Sequence, residues 1–200
     1  MNTLKRPDYS LDYSRFPVLY NCANLTAGVL KMKLVIQRVK QASVSVDGNL
    51  VSKINEGLMV LVGIHKRDTK DDLEECLTKI RTLKLFHDEG QPRWTGSLED
   101  RKDLQLLLVS QFTLYGNPNN GKKVDFNDAM GGDAALAMFN DMVEKARLLL
   151  GEGRVHTGAF GQYMQVSLTN DGPVTIIFES KSFQKQTPVV SEVKGANLIN

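Results

Sequence analysis

Two short polar segments of this sequence combine residue types that can bind and cleave a substrate. The first, Ser110-Gln-Phe-Thr113, directly follows the apolar run Leu106-Leu-Leu-Val109. Such a run predicts a buried strand, and polar side chains at its end must be hydrogen-bonded or face a cavity. Hydroxyl groups there can take part in acyl transfer. On spacing alone, however, we favour the simpler interpretation that Ser110 and Thr113 end the strand and bond to nearby backbone.

The second segment is Asn170-Asp-Gly-Pro173. These four residue types are the usual ones in tight turns, so the pattern predicts a turn between two strands at 164–168 and 174–178. Taken alone, the segment does not assign a function.

Neither segment lies next to a catalytic base in the sequence. The three histidines, His65, His87 and His156, are isolated, and the Gly-x-Ser-x-Gly elbow of serine hydrolases is absent. Thr113 would be a nucleophile only if a distant histidine folded onto it, because a free hydroxyl needs an adjacent base. The histidines and the two cysteines, at 22 and 76, have no metal-ligand spacing. We therefore expect neither a metal site nor a cofactor.

The composition is that of a soluble globular protein, with 42% apolar and 24% charged residues among 200. No apolar run approaches the roughly 20 residues that span a bilayer, so we expect a cytoplasmic protein without a membrane partner. A net charge of +2 argues against the coating of long duplexes, where many phosphates must be neutralised. It allows a local basic patch that holds a short piece of nucleic acid.

Regular patterning is confined to the middle of the chain. Residues 1–31 show no sustained period and are predicted to be an N-terminal extension. A mitochondrial presequence is the less favoured alternative, because Asp8 and Asp12 interrupt its basic character. Residues 32–180 are predicted to form one domain, and residues 181–200 a C-terminal tail.

The predicted elements that would present the polar segments are strands and two helices. Alternating residues up to Val46, the turn signal Asp47-Gly48 and a returning run to Ile54 predict a hairpin. Residues 57–64 are apolar on both faces and predict a central strand. Apolar residues then recur at helical spacing after Thr69 and within 133–150. The inward positions expected for these helices are Leu73, Cys76, Leu77, Ile80 and Leu83, and then Leu136, Phe139, Val143, Ala146 and Leu150.

Together, the Ser-Gln-Phe-Thr and Asn-Asp-Gly-Pro segments resemble the signature of the D-aminoacyl-tRNA deacylases in both order and separation. The resemblance extends over residues 32–180. It implies a single α/β domain, a three-layer β/β/α sandwich with largely antiparallel strands. It also implies a homodimer with its active sites at the interface and the aminoacylated acceptor end of tRNA as partner. The reaction implied is hydrolysis of the ester bond of D-aminoacyl-tRNA, and of glycyl-tRNA mischarged on tRNA-Ala.

The same resemblance implies a role for each segment. Backbone N–H groups around Gln111 and Phe112 would stabilise the oxyanion, and the 2′-hydroxyl of the tRNA would help to activate water. A Gly-cisPro chiral selector would enter the active site of the other subunit and leave no room for an L side chain. The expected set is catalytic Ser110, Gln111, Phe112 and Thr113, the selector Gly172 and Pro173, and substrate- or adenosine-binding Phe160, Gly161, Met164, Asn170 and Thr175.

Some of these assignments leave an alternative open. Phe112, Phe160 and Met164 would serve equally well as ordinary core residues. Lys122 and Lys123 follow a predicted exposed loop, 119–121, and are expected to contact acceptor-stem phosphates, or else to be merely solvated. Two stretches, 93–97 and 122–126, depart from the pattern expected of the family and leave its side-chain preference open.

Two other functions are compatible with such a chain. One is a related proofreader that removes a mischarged L-amino acid, and the intact Asn-Asp-Gly-Pro segment counts against it. The other is a DNA- or RNA-binding factor without catalysis, and the low net charge argues against tight, extended binding of duplex.

Overall fold

The structure, a computed structural model, describes residues 31–87, 94–118 and 121–181. The predicted extension (1–31) and tail (181–200) therefore lie outside the described residues, apart from Lys31 and Lys181. The same is true of Cys22, Arg93, Asn119 and Asn120.

The described chain forms one mixed α/β domain, which confirms the predicted fold class. Two α-helices lie among eight strands, and in this part of the chain no helix has the length and apolarity needed to cross a membrane. The elements are β1 (Lys33–Val46), β2 (Asn49–Ile54), β3 (Gly57–Gly63), α1 (Lys70–Thr82), β4 (Phe86–His87), β5 (Trp94–Gly96), β6 (Gln105–Ser110), α2 (Gly132–Leu150), β7 (Val155–Thr157) and β8 (Gln165–Glu179).

β1 organises the sheet because it pairs with three other strands. Its first part pairs antiparallel with β3, its last part with β2, and β8 runs antiparallel along both parts. The predicted hairpin is confirmed: Asp47 and Gly48, with φ of 49° and 78°, make the turn between β1 and β2. At the far end of β1, the N–H of Ser180 donates to the carbonyl oxygen of Met32 at 3.0 Å, so the two ends of the domain are neighbours.

β3 and β6 lie at the centre and pair in parallel, from Gly57–Gln105 to Val62–Ser110. Both strands are buried on both faces, as predicted for β3. Alternate residues face two different cores: Leu58 and Leu106 contribute to one, Met59 and Leu107 to the other. This alternation fixes the register, since a slip by one residue would exchange the two faces.

The two cores separate three layers. The larger core lies between the central strands and the helices, and the smaller one includes Val44 of β1 and Ile54 of β2 on the opposite face. The predicted inward positions of α1 are confirmed except Leu83, which caps the helix and is half-buried. In α2, Leu136 was expected to face inward but is 36% exposed, because the first turns of α2 border a cavity rather than the core. The inward positions confirmed in α2 are Phe139, Val143, Ala146 and Leu150.

The predicted turn between two C-terminal strands is wrong. Residues 165–179 form one strand, β8, whose pairing with β1 runs from Ser45–Gln165 to Lys33–Glu179. The turn-type residues form a bulge instead, because proline has no N–H to donate to a ladder and the flanking residues keep their pairing with β1.

Candidate functional site

A cavity of about 770 Å³ opens where β3 and β6 end side by side. Because these strands are parallel, the segments that follow them leave the sheet at the same edge and diverge around one space. All four residues of the Ser-Gln-Phe-Thr segment line this cavity. Apolar lining is added by β3 and by the residues that lead into α2, among them Val62, Ile64, Met130 and Ala135.

The Ser-Gln-Phe-Thr segment turns sharply as it leaves the sheet. The backbone N–H of Gln111 donates to the carbonyl oxygen of Val62 at 2.8 Å, and a 3-10 helix, Phe112–Tyr115, follows at once. Phe112 is 58% exposed at the cavity, and its ring meets that of Phe126 edge to face at 5.1 Å. The interpretation of Phe112 as a core residue is therefore wrong.

The bond to Val62 also corrects the expected oxyanion site. Because the N–H of Gln111 is engaged by a carbonyl, it is not available to a developing negative charge. The N–H groups at the start of a helix have no acceptor within the helix. Phe112 begins the 3-10 helix, so its N–H, rather than that of Gln111, is the backbone donor suited to this role.

Thr113 lies in the cavity lining without an adjacent base. Its hydroxyl oxygen accepts a hydrogen bond from Gln111 Nε2. The described histidines lie elsewhere: His65 Nδ1 accepts from the N–H of Arg67 at 3.1 Å, and His87 contacts Trp94. His156 lies beside Gln105, and no histidine is in the described lining.

The last residue of the 3-10 helix, Tyr115, is buried and anchors the helix to neutral neighbours. The hydroxyl of Tyr115 is within hydrogen-bonding distance of the carbonyl oxygens of Lys31 and Gly63, and its ring centroid lies 5.4 Å from that of His65. Burial raises the pKa of Tyr115 above its ordinary value and lowers the pKa of His65 below its own. Both groups are therefore kept uncharged at neutral pH.

Asp68 lies next to this group, and its buried carboxyl is only partly hydrogen-bonded. One oxygen accepts the N–H of His65 at 2.7 Å, whereas the other is buried without a hydrogen-bond partner in the described chain. Burial raises the pKa of Asp68 to about 7. Its proton is therefore gained or lost close to physiological pH.

The opposite wall of the cavity is the loop between β7 and β8. The N–H of Gly158 donates to the carbonyl oxygen of Leu108 at 2.9 Å, which ties this loop to β6. Phe160 packs against the larger core and Met164 against the smaller one, and both also line the cavity. A Cβ at position 158 would lie 2.8 Å from the sulfur of Met164, so glycine allows this close packing.

The Gly-Pro segment, residues 170–175, lies in the bulge of β8. Between the pairs Gln37–Thr175 and Val39–Asn170, four residues of β8 stand opposite the single residue Arg38. The bond between Gly172 and Pro173 is cis, both residues are exposed, and Gly172 has a φ of 119°. That backbone conformation strongly favours glycine.

A buried arginine holds this segment in place. Arg38 is 7% exposed, and its Nε lies 3.0 Å from Asp171 Oδ2. The guanidinium also donates to the carbonyl oxygens of Asp171 and Leu85, and it lies 5.2 Å from the centre of the Trp94 ring. On the other side of the bulge, Asn170 Oδ1 accepts the N–H of Val174 at 2.7 Å.

The structure brings only part of the predicted site together within one chain. Phe160, Gly161 and Met164 share the cavity with the Ser-Gln-Phe-Thr segment. The cavity lining does not include the following described residues of the predicted set: Asn170, Gly172, Pro173, Thr175, Lys122 and Lys123. The two lysines are exposed, and Asn170 Nδ2 lies 3.2 Å from Thr175 Oγ1. The roles assigned to all these residues remain predictions.

Sequence reasoning missed Arg38, although a signal was present. Leu34, Ile36 and position 38 alternate along β1, which places a charged side chain at an inward position. Sequence reasoning also left open whether 93–97 or 122–126, the two stretches that depart from the family pattern, borders the cavity. Phe126 does, whereas Trp94 lies against Arg38 beside the Gly-Pro segment.

Fold and cavity together define a class: a small α/β domain with a ligand-sized, mainly apolar cavity at the carboxyl ends of parallel strands. Within that class, the chain belongs to the D-Tyr-tRNA(Tyr) deacylase family, which matches residues 35–179.

Similar proteins agree with this membership. The chain is 44% identical over 150 residues to a D-aminoacyl-tRNA deacylase of Eremothecium gossypii, covering 75% of this chain and 99% of the relative. It is 47% identical over 156 residues to one of Drosophila melanogaster, covering 78% and 96%. Among solved structures, a "c-Myc DNA Unwinding Element Binding Protein" has a TM-score of 0.70 at 43% identity, covering 75% of this chain and 99% of that one. A "probable eukaryotic D-amino acid tRNA deacylase" has a TM-score of 0.65 at 21% identity, covering 74% and 98%, and supports the fold alone.

Proposed function

We propose that this protein is a D-aminoacyl-tRNA deacylase, a cytoplasmic hydrolase that releases the free D-amino acid and tRNA. The observation that carries the proposal is the cavity shared by the Ser-Gln-Phe-Thr segment and the loop from Phe160 to Met164, in a chain of this family. Relatives named for this activity match this chain over nearly their whole length.

The cavity supports a mechanism without a protein nucleophile. The aminoacyl ester is an activated bond, and each tenfold gain in rate requires only about 1.4 kcal/mol of transition-state stabilisation. The N–H of Phe112 donates to the developing oxyanion, and the 2′-hydroxyl of the terminal adenosine assists the attacking water. Thr113 has no base beside it in the described chain, so it positions rather than attacks.

Chiral selection requires a second copy of the chain. The Gly-Pro segment is exposed, firmly held and outside the lining of the cavity in its own chain. In a homodimer, the main chain of Gly172 and Pro173 enters the cavity of the partner and leaves no space for an L side chain. Glycine has no side chain to reject, so glycyl-tRNA mischarged on tRNA-Ala is hydrolysed as well.

The decisive experiment compares matched D- and L-aminoacyl-tRNA as substrates of the wild type and of Pro173→Ala. We expect rapid hydrolysis of the D substrate only, and loss of this activity in the variant with the dimer intact. Preferential hydrolysis of the L substrate by the wild type would identify the related proofreader of L-amino acids. Undiminished selectivity in Pro173→Ala would show that the selector lies elsewhere.

The role of Thr113 is tested separately. Thr113→Ala should keep substantial deacylation, because catalysis is assigned to a backbone N–H and the tRNA. The measurement is single-turnover hydrolysis of D-aminoacyl-tRNA, with Thr78→Ala, at an exposed position of α1 outside the cavity lining, as the control. A loss of several orders of magnitude in a folded Thr113→Ala protein would make Thr113 the nucleophile and contradict this mechanism.

A second candidate function is DNA binding without catalysis. It is favoured by one observation, the name of the structural relative at 43% identity, a DNA unwinding element binding protein. Binding to single- and double-stranded DNA over a range of salt concentrations would test it. Salt-steep DNA affinity together with no ester hydrolysis would favour this function over the deacylase.

A further inference from the structure

Tyr163 is the most exposed of the aromatic side chains that line the cavity. Its side chain lines the cavity, and yet 84% of it is exposed. A short turn, in which the N–H of Gln162 donates to the carbonyl oxygen of Ala159 at 3.2 Å, leads the chain to this position. The next residue, Met164, also lines the cavity and packs against the smaller core. The chain thus places Met164 in the wall of the cavity and the exposed ring of Tyr163 at its mouth.

The chain segment that carries Tyr163 is uncharged. From position 157 to position 170 the sequence contains no acidic or basic residue. Gln162 and Gln165, on either side of the tyrosine, are exposed and carry amide groups. An exposed ring flanked by amides, without positive charge, suits the face and edge of an unstacked nucleobase better than a phosphate.

We propose that Tyr163 is a stacking platform for the base that precedes the terminal adenosine of the tRNA. This inference rests on the proposed function, in which the terminal adenosine occupies the cavity beside Phe160 and Met164. The strand of RNA must leave the cavity through its mouth, and Tyr163 is the aromatic side chain beside Met164 there. The base next to the adenosine then stacks on the exposed ring, and the amides bond to its edge.

The test compares two substrates, one with and one without nucleotides before the terminal adenosine. One is D-aminoacyl-tRNA, and the other is a D-aminoacyl-adenosine, which has no preceding nucleotide. Stacking of a base on an aromatic side chain changes affinity by roughly ten- to a hundredfold. Tyr163→Ala should lower the ratio of kcat/KM for the tRNA to that for the adenosine by about this factor, through KM. Tyr163→Phe should preserve the ratio, because the phenyl ring keeps its face.

Controls separate this inference from the proposed function. Leu148→Ala removes another highly exposed apolar side chain, 86% exposed and outside the cavity lining, and should leave the ratio unchanged. Failure of the wild type to hydrolyse either substrate would contradict the proposed function itself. With an active wild type, any of three results overturns the platform: an unchanged ratio in Tyr163→Ala, an equal loss in Tyr163→Phe, or dissociation of the dimer in Tyr163→Ala. The last, measured by analytical ultracentrifugation, would assign the ring to a contact with the second copy.

Discussion

The cavity and the Gly-Pro segment are held by different kinds of interaction. Beneath the cavity, the 3-10 helix is anchored by its own last residue, Tyr115, whose hydroxyl bonds to the carbonyl oxygen of Gly63 and whose ring contacts that of His65. The rim of the cavity carries exposed aromatic side chains. The Gly-Pro segment is fixed by the charged pair of Arg38 and Asp171 and by the amide of Asn170. The difference indicates that the segment keeps one shape while the rim accommodates its ligand.

Within the Gly-Pro segment, activity should be most sensitive to a substitution at Gly172. In Gly172→Ala, the new Cβ would lie 2.9 Å from a methyl carbon of Val174 and 3.2 Å from Arg38 Nη2, at a φ that L residues avoid. We expect a loss of D-aminoacyl-tRNA hydrolysis of about a hundredfold or more, because a shift on the order of 1 Å at a reacting site has that effect. The measurement is kcat/KM of the folded variant.

A matched control for Gly172→Ala is Gly48→Ala. Gly48 also has a positive φ, but it lies in an exposed turn with nothing within 4 Å of the added Cβ. It should lose about 1 kcal/mol of stability and no activity. Equal activity in the two variants would contradict the importance of the segment's shape.

The next largest effect is expected from Arg38. Arg38→Ala removes the donor to the carbonyl oxygen of Leu85 and leaves the carboxylate of Asp171 with only Lys40, at 3.8 Å, as a charged partner. We expect a loss of roughly 2 kcal/mol in the free energy of unfolding and of about tenfold or more in activity on D substrates. Arg38→Lys restores the charge but not the planar fork, so its activity should remain well below wild type. Chemical denaturation measures the first effect, and hydrolysis of matched D- and L-aminoacyl-tRNA measures the second. Full activity in Arg38→Ala would show that Arg38 does not hold the Gly-Pro segment in its active shape.

The buried residues beneath the cavity should make the free energy of unfolding depend on pH, through Asp68. The pKa of Asp68 is raised by burial to about 7, above its ordinary unfolded value of about 3.9. The protonated form is therefore favoured in the folded state, and its stabilisation is complete below pH 4 and lost as pH rises through about 7. Relative to Asp68→Asn, the wild type should lose on the order of 3 kcal/mol of unfolding free energy between pH 4 and pH 8.

Denaturation at a series of pH values measures this slope. Asp71→Asn, at an exposed position three residues further on, provides the control and should follow the wild type. Parallel curves for Asp68→Asn and wild type would show that Asp68 titrates as an ordinary exposed carboxyl.

The smallest effect is expected at the exposed lysines. Replacing Lys122 and Lys123 together with alanine should raise KM for D-aminoacyl-tRNA a few-fold and leave kcat unchanged. The salt dependence of log KM should also become shallower, by up to about 0.9 per lost contact with a phosphate of the double-stranded acceptor stem. Lys53→Ala, an exposed lysine on β2, is the control. An unaltered salt slope would mean that the pair is merely solvated.

The sequence was informative wherever local pattern and tertiary structure agree. Period-two and helical spacing predicted the β1–β2 hairpin, the buried β3 and the inward faces of both helices. It failed at β8, because Asn, Asp, Gly and Pro have the same local preferences in a turn and in a bulge. Only the pairing of β8 with Gln37 and Val39 of β1 distinguishes the two.

The site was predictable only in part for a similar reason. The Ser-Gln-Phe-Thr segment could be located, because polar residues at the end of a buried strand face a cavity or a partner. The residues opposite it, such as Met130 and Ala135, carry no chemical signal of their own. Chain topology alone brings them there, as it brings Val62 to the N–H of Gln111.

The hydrogen bond between Ser180 and Met32 has a practical consequence for protein engineering. Because the two ends of the domain meet where β1 begins and β8 ends, a short linker could join them, and new termini could open at the exposed turn of Asp47 and Gly48. Such a circular permutant would retain every strand pairing and interrupt only a surface turn. Its new termini would lie in the turn between β1 and β2.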